Sequence, residues 1–165
     1  MVTEREAMRI VDTWALEDIY ATDDLWKTAV EWVNGKLPEY EKYKGKLSES
    51  AETLYWCLEL DGEVGQAMEK IGCYAGQKSD QDTRMTEYQD LMGRAEELYT
   101  RAAQASSFIQ SEITHMGEET INRMTEEYEP LKKYRRMFTA MFRKKEHTLA
   151  DREEALLAAA GFMSD

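Results

Sequence analysis

Residues 82–113 read DTRMTEYQDLMGRAEELYTRAAQASSFIQSEI. Within this stretch Tyr88, Met92, Ala95, Tyr99, Ala102, Ser106, Ile109 and Ile113 recur at spacings of four and three. That alternation keeps one side of an α-helix in line, and a strand would alternate by two instead. Carried through about seven turns, near 40 Å, it is the pattern of long helices packed along their length. It predicts a helix over about 82–114, opened by Asp82 or Thr83.

Upstream, the same spacing continues in Leu54, Leu58, Val64, Met68, Ile71 and Ala75, which predicts a helix over about 50–79 started by Ser48 or Ser50. Gly62 and Gly65 are costly inside it, by about 1 kcal/mol each against alanine. Gly72 and Gly76 offer a flat strip for close helix approach. The short link at 79–82 forces this helix and the next to run antiparallel. Further upstream, Thr22 or Asp23 caps a helix over about 22–44 bearing Leu25, Trp26, Ala29, Val30 and Val33. Pro38 should kink it and Gly45 close it. Trp14, Leu16, Ile19 and Tyr20 are read as clamping the start of the chain onto these helices.

Downstream, Met116-Gly117 breaks the pattern. Shorter helices are expected over about 118–127, over about 130–145 with Pro130 at its first position, and over about 150–160. The prediction is therefore all-α: three long antiparallel helices followed by three shorter ones. At 165 residues the length fits one domain, 1–165. Such a chain buries roughly two-thirds of its unfolded surface without needing staples.

Charged residues make up 33% and the net charge is −12, which on average repels phosphate backbones and anionic lipid. No nucleic-acid or membrane partner is expected. The charge is uneven: residues 1–130 hold 13 Lys/Arg against 28 Asp/Glu, whereas residues 131–165 hold 8 against 5. Cys57 and Cys73 lie 16 residues apart on one expected helix. That is about 24 Å at 1.5 Å per residue, beyond the roughly 7 Å a disulfide spans. Met1 to Arg9 does not resemble a signal peptide, and no apolar run nears the ~20 residues of a membrane span. The expected setting is reduced and cytoplasmic.

The residues carry no complete catalytic or metal site. The two histidines, His115 and His147, form no His-Glu-x-x-His arrangement. Glu112-x-x-His115 has the spacing of half a di-iron site, but Lys144 stands where the second half needs an acid. Asp80-x-Asp82 begins like a calcium loop, then has Arg84 and Met85 where an oxygen ligand and glycine are required. Acid pairs such as Glu96-Glu97 and Glu118-Glu119 read as solvated faces, and the ten methionines as core filling. The stretch near 131–145 is asymmetric. Its apolar face of Leu131, Tyr134, Met137, Phe138, Met141 and Phe142 is backed by Lys132, Lys133, Arg135, Arg136, Arg143, Lys144 and Lys145. Such a helix either binds a membrane or an apolar groove, or fills a core while its basic rim meets acidic neighbours. The second reading is preferred.

The order of landmarks resembles a known family. Trp14-x-Leu16-x-Asp18-x-Tyr20 is followed by Asp23-Asp24-x-Trp26, Tyr43-Lys44-Gly45-Lys46-Leu47 and Ser50-Ala51-Glu52-Thr53-Leu54. Next come Tyr74-Ala75-x-x-Lys78-Ser79-Asp80-x-Asp82-Thr83, Tyr88-Gln89, Ser107-Phe108, Glu112-Ile113 and Tyr134-Arg135. His147-Thr148-Leu149 and Glu153-Glu154-x-Leu156-Leu157 complete the series. From about Asp12 to Gly161 this resembles the N-terminal lobe of oligoendopeptidase F, a thimet-type zinc metallopeptidase.

The resemblance implies a cytoplasmic enzyme that cuts short peptides inside a channel. Its zinc is held by a His-Glu-x-x-His helix and a distant glutamate in a larger C-terminal part, and the motif's glutamate serves as general base. The N-terminal helices wall the channel and limit access by size. None of the zinc or catalytic residues can be carried onto this chain, which is expected to hold no cofactor and to pack on the missing catalytic part. Alone it is expected to leave an apolar surface uncovered or to self-associate. The competing reading is a free-standing helical protein-interaction module.

Overall fold

The computed structural model describes residues 8–146. Six α-helices are found there: α1 (Asp23–Lys36), α2 (Ala51–Gln81), α3 (Thr86–Ser106), α4 (Phe108–Met116), α5 (Glu118–Glu127) and α6 (Arg135–Glu146). Among the described residues no strand interrupts them, as the all-α reading requires. The expected helix over 150–160 lies outside the described residues, as does His147. The chain divides into two compact units, Met1–Ile109 and Gln110–Asp165.

In the first unit, α1 starts where the Thr22 hydroxyl accepts from the Leu25 N–H at 3.3 Å, and α2 where the Ser50 hydroxyl accepts from Thr53 at 3.0 Å. Each satisfies one donor that the helix leaves unpaired. Pro38 changes the geometry more than a kink would. The chain tightens into a 3-10 helix over Leu37–Lys42, because proline lacks an N–H and its ring collides with the carbonyl four residues back. Gly45 then takes a positive φ of 77°.

Helix α2 runs about 46 Å at 1.5 Å per residue and forms the spine of this unit. Trp26, Val30 and Val33 of α1, Tyr40 and Leu47 of the connection, and Leu54, Cys57, Leu58, Val64, Met68 and Ile71 of α2 are buried. Paired side chains fix the directions. Ser79 meets Gln89 and Met68 meets Tyr99, while Asp23 meets Tyr74 and Tyr40 meets Asp61. In both sets one residue number rises as its partner's falls, and Trp26 meeting Ile71 adds a second point on α1 itself, so α1 and α3 each run antiparallel to α2.

Helix α3 departs from expectation in three ways. It starts at Thr86 rather than at Asp82 or Thr83. The Asp82 carboxylate accepts from the Arg84 backbone N–H at 2.9 Å, and Met85 N–H bonds to Asp82 O, so these residues form a turn. It ends at Ser106, where the Ser107 hydroxyl bonds back to the Gln104 carbonyl at 2.9 Å and the helix restarts as α4. Finally, its buried seam is Leu91, Ala95, Leu98 and Ala102, one residue around from the expected stripe at Met92 and Tyr99. The two stripes share both alanines. Leucine is apolar to its tip, whereas Tyr99 keeps to the rim, where its hydroxyl reaches the Met68 carbonyl at 3.0 Å.

Gly72 supplies the expected close approach, since a Cβ there would stand 2.9 Å from the Tyr99 ring, but Gly76 faces open space. At the chain's start, Leu16 is buried and Tyr20 meets the Tyr74 ring edge-on at 5.5 Å, while Trp14 stays exposed. The expected clamp is seen in the buried Leu16 and in the ring contact of Tyr20, with Ile19 half-buried beside them.

In the second unit, Gly117 (φ 80°) breaks the chain before α5. Ile121, Met124 and Thr125 are buried, and the Thr125 hydroxyl is satisfied by the Ile121 carbonyl. The helix expected over 130–145 is in two parts. A 3-10 helix, Glu129–Tyr134, carries Pro130 in its first turn, and α6 follows. Leu131, Phe138 and Phe142 point inward. Lys132 pairs with Glu129 at 2.6 Å, and Arg135 with Glu126. Of the seven basic residues on this stretch, Lys132 and Arg135 meet acidic neighbours in the way the preferred reading expects, while Lys133 lies over the Tyr134 ring at 5.0 Å.

Candidate functional site

Among the described residues, no group of three or more His, Cys, Asp or Glu side chains could hold a metal ion. His115 turns its Nδ1 to the Ser111 carbonyl at 2.8 Å. The Asp82 carboxylate is taken by the Arg84 side chain as well as its backbone. These bonds hold its pKa down at about 2. Cys57 is buried and Cys73 exposed, and neither forms a disulfide. No helix among the described residues is long and apolar enough to cross a membrane.

The polar side chains that do converge lie in the first unit. At one end, Asp23 in the first turn of α1 accepts from the Tyr74 hydroxyl at 2.6 Å and lies 3.3 Å from Lys78 Nζ. The Lys78 ammonium sits 5.7 Å from the Tyr74 ring centre and 4.9 Å from that of Tyr88. One lysine thus bridges the start of α1, the end of α2 and the start of α3. Burial works to raise the Asp23 pKa, but the Tyr74 and Lys78 contacts together outweigh it and leave the carboxyl lowered. Gln89 joins the same junction through Ser79 at 2.9 Å.

Farther along, Tyr40, almost wholly buried, donates to Asp61 at 3.0 Å. Burial raises the pKa of both groups, so the hydroxyl stays protonated. Sequence reasoning missed both clusters, because their partners are 51 and 21 residues apart. The signal available was the landmark series, in which Asp23, Tyr74, Lys78, Ser79, Tyr88 and Gln89 all appear.

Elsewhere the surface of the first unit carries large apolar groups. Leu25, Trp32 and Trp56 are 51%, 41% and 50% exposed, and Trp14 58%. Trp26 is the one fully buried tryptophan. The arrangement can bind and position, and it offers no nucleophile–base pair.

The model of the family described as Oligopeptidase F matches residues 112–165. Oligopeptidase PepF of Bacillus subtilis is 37% identical over 157 residues, covering 95% of this chain and 23% of that protein. The plasmid-borne oligoendopeptidase F of Lactococcus lactis subsp. cremoris is 37% identical over 150 residues, covering 90% of the chain and 25% of that protein. The crystal structure of oligoendopeptidase-F from Enterococcus faecium superposes with a TM-score of 0.72 at 30% identity, covering 86% of this chain and 28% of that one.

The chain belongs to the oligoendopeptidase F family. A putative peptidase from Chlamydophila abortus shares the fold, with a TM-score of 0.78 at 24% identity over 97% of this chain and 27% of that one. The chain corresponds to the N-terminal region of oligoendopeptidase F and spans about a quarter of the length of the curated relatives it matches.

Proposed function

We propose that this chain is the N-terminal helical lobe of an oligoendopeptidase F-type zinc metalloendopeptidase, a cytoplasmic enzyme that hydrolyses short peptides. The observation that carries the reading is the asymmetry of the match: 37% identity over 95% of this chain but only 23% of the relative. In the whole enzyme the lobe packs on the catalytic part, walls the substrate channel and limits access by size. Leu25 and Trp32, seven residues apart on α1, and Trp56 on α2 are exposed and offer apolar contacts for that packing.

Zinc in such an enzyme would activate water. The residues present here do not fit it. The sequence contains no His-Glu-x-x-His, and His115 is turned to its own helix backbone. No hydrolytic step is therefore assigned to this chain. Its contribution is steric, through a wall stiffened by the Asp23–Tyr74–Lys78 junction.

Exchange of the matched region of the Bacillus subtilis relative for this chain tests the proposal. The chimera should cleave a short fluorogenic peptide and spare a long unfolded polypeptide. A chimera that assembles but cleaves both equally would remove the size-limiting role. One that cannot assemble would favour the free-standing module. The isolated chain supplied with zinc should not turn over peptide, and zinc-dependent turnover by it would contradict the assignment.

A further inference from the structure

Two tyrosine–aspartate hydrogen bonds tie α2 to the chain before it, one toward each end of the helix, and they differ in one respect. Toward the α2–α3 turn, Tyr74 donates to Asp23 at 2.6 Å, and the Lys78 ammonium stands 3.3 Å from the same carboxylate. Toward the other end, Tyr40 donates to Asp61 at 3.0 Å. Among the described residues no lysine or arginine pairs with Asp61, and neither α1 nor α3 sets a charged side chain against it. A carboxylate beside a cation is favoured in its charged form; one drawn out of water without a cation is favoured in its neutral form. Burial accordingly leaves Asp61 raised, while at Asp23 burial is outweighed by Tyr74 and Lys78.

The Tyr40 ring is 1% exposed, so charging Asp61 sets an unneutralised anion against a buried group. The other titratable group here is Cys57, fully buried one turn earlier on α2 and close enough to act on the Tyr40 hydroxyl. The connection that carries Tyr40 can move by itself. Pro38 has no N–H with which to continue α1. Tyr43 and Lys44 bond back to the Tyr40 carbonyl and Lys46 to that of Tyr43, as in successive tight turns. The ion pairs Lys36–Glu39, Lys42–Glu39 and Lys44–Glu41 join neighbours along the chain rather than reaching α2. In the last turn of α1 the Asn34 amide oxygen is buried without a partner, a cost that exposure to water relieves.

We propose that charging Asp61 releases residues 37–46 from α2 as a local opening, while the Lys78 junction stays closed. The first unit thus carries a charge-sensitive hinge at one end of a helix pair whose other end is locked by a lysine. The inference does not depend on the peptidase reading.

Cys57 reports the opening, because it becomes accessible when Tyr40 leaves. The test is thiol labelling of the full 165-residue chain carrying Cys73→Ser, with a dipyridyl disulfide that reacts in acid as well as in base. The same chain with Asp61→Asn is the reference, and dividing the two rates cancels the ionisation of the thiol. The ratio should stand near one in acid, rise several-fold through the upper carboxylate range, and then level off. Above that range, low urea should change the parent's rate little, since a local opening exposes little surface. Asp23→Asn, at the lysine-braced pair, should leave Cys57 labelling unchanged. A ratio that stays at one overturns the inference. So does a parent rate that climbs with urea as steeply as global unfolding, which is read without any variant at position 61. Equal acceleration by Asp23→Asn also overturns it, because the two ends would then open together.

Discussion

The indole N–H of Trp26 on α1 donates a 3.0 Å hydrogen bond to the backbone carbonyl of Ile71 on α2. Tryptophan is usually large enough to keep an edge in water, yet this one is fully buried, with the Arg94 guanidinium 5.4 Å from its ring centre. One side chain thereby joins all three long helices. Trp26→Phe should lose about 1 kcal/mol for the bond and more for the reduced contact. Trp26→Ala should lose about 3–5 kcal/mol. Urea denaturation followed by helical circular dichroism measures both, and a phenylalanine variant as stable as the parent would show that the bond contributes nothing.

The two glycines of the Gly72/Gly76 strip should respond differently to alanine. At Gly76 nothing lies within 4 Å of a new Cβ, so Gly76→Ala should stabilise by up to about 1 kcal/mol through helix propensity. At Gly72 the new Cβ would press on the Tyr99 ring at 2.9 Å and dislodge its hydroxyl from the Met68 carbonyl. The propensity gain and the lost bond, each about 1 kcal/mol, nearly cancel. In a Tyr99→Ala background the same change should become stabilising. A double-mutant cycle with no coupling between positions 72 and 99 would contradict this account.

Asp61 should give the stability a signature in pH. Burial raises its pKa, and the Tyr40 bond offsets this only in part. A folded-state pKa above the unfolded one means stability that is full below the unfolded pKa and is lost as pH rises through the folded one. Asp61→Asn keeps an acceptor for the Tyr40 hydroxyl and removes the titration. Stability of the parent minus that of the variant should be largest in acid, decline across the upper carboxylate range, and then level off. A difference that instead grows with pH would mean that the ionised form is the favoured partner of Tyr40.

Capping offers a comparison within one molecule. Thr22→Ala and Ser50→Ala should each cost about 1 kcal/mol. Met85 sits at the N-cap of α3 in extended backbone geometry with no side-chain bond to the helix. Met85→Ser should therefore stabilise by up to about 1 kcal/mol. Thermal melts of the three variants decide the matter, and a Met85→Ser variant that melts lower would show that the exposed methionine packs usefully.

Much of this architecture was legible because helices write locally. The spacing of Leu54, Leu58, Val64 and Met68, the hydroxyls of Thr22 and Ser50, and the breaks at Gly45 and Gly117 act within a turn or two of themselves. Pro38 and Pro130 were legible as interruptions, though not as six-residue 3-10 helices, whose geometry depends on what the following turn packs against. The choice between the Met92–Tyr99 and Leu91–Leu98 stripes could not be made from spacing, since the two differ by one residue and share Ala95 and Ala102. Side-chain pairs across helices were illegible for a related reason: nothing near Lys78 announces that its ammonium will meet a carboxylate 55 positions earlier. The landmark series carried that information only as joint occurrence.

The antiparallel course of α1, α2 and α3 also bears on how quickly the first unit can form. Tyr40 and Asp61 are 21 residues apart, Met68 and Tyr99 31, and Trp26 and Ile71 45. Tyr40–Asp61 lies inside the loop that Trp26–Ile71 closes, so that loop is already shortened, while Met68–Tyr99 closes a separate loop between α2 and α3. Closure entropy grows only with the logarithm of loop length. Helical folds of this kind reach their native state in microseconds to milliseconds. The first unit should therefore assemble as two successive hairpins, with its spine helix in place before α3 docks.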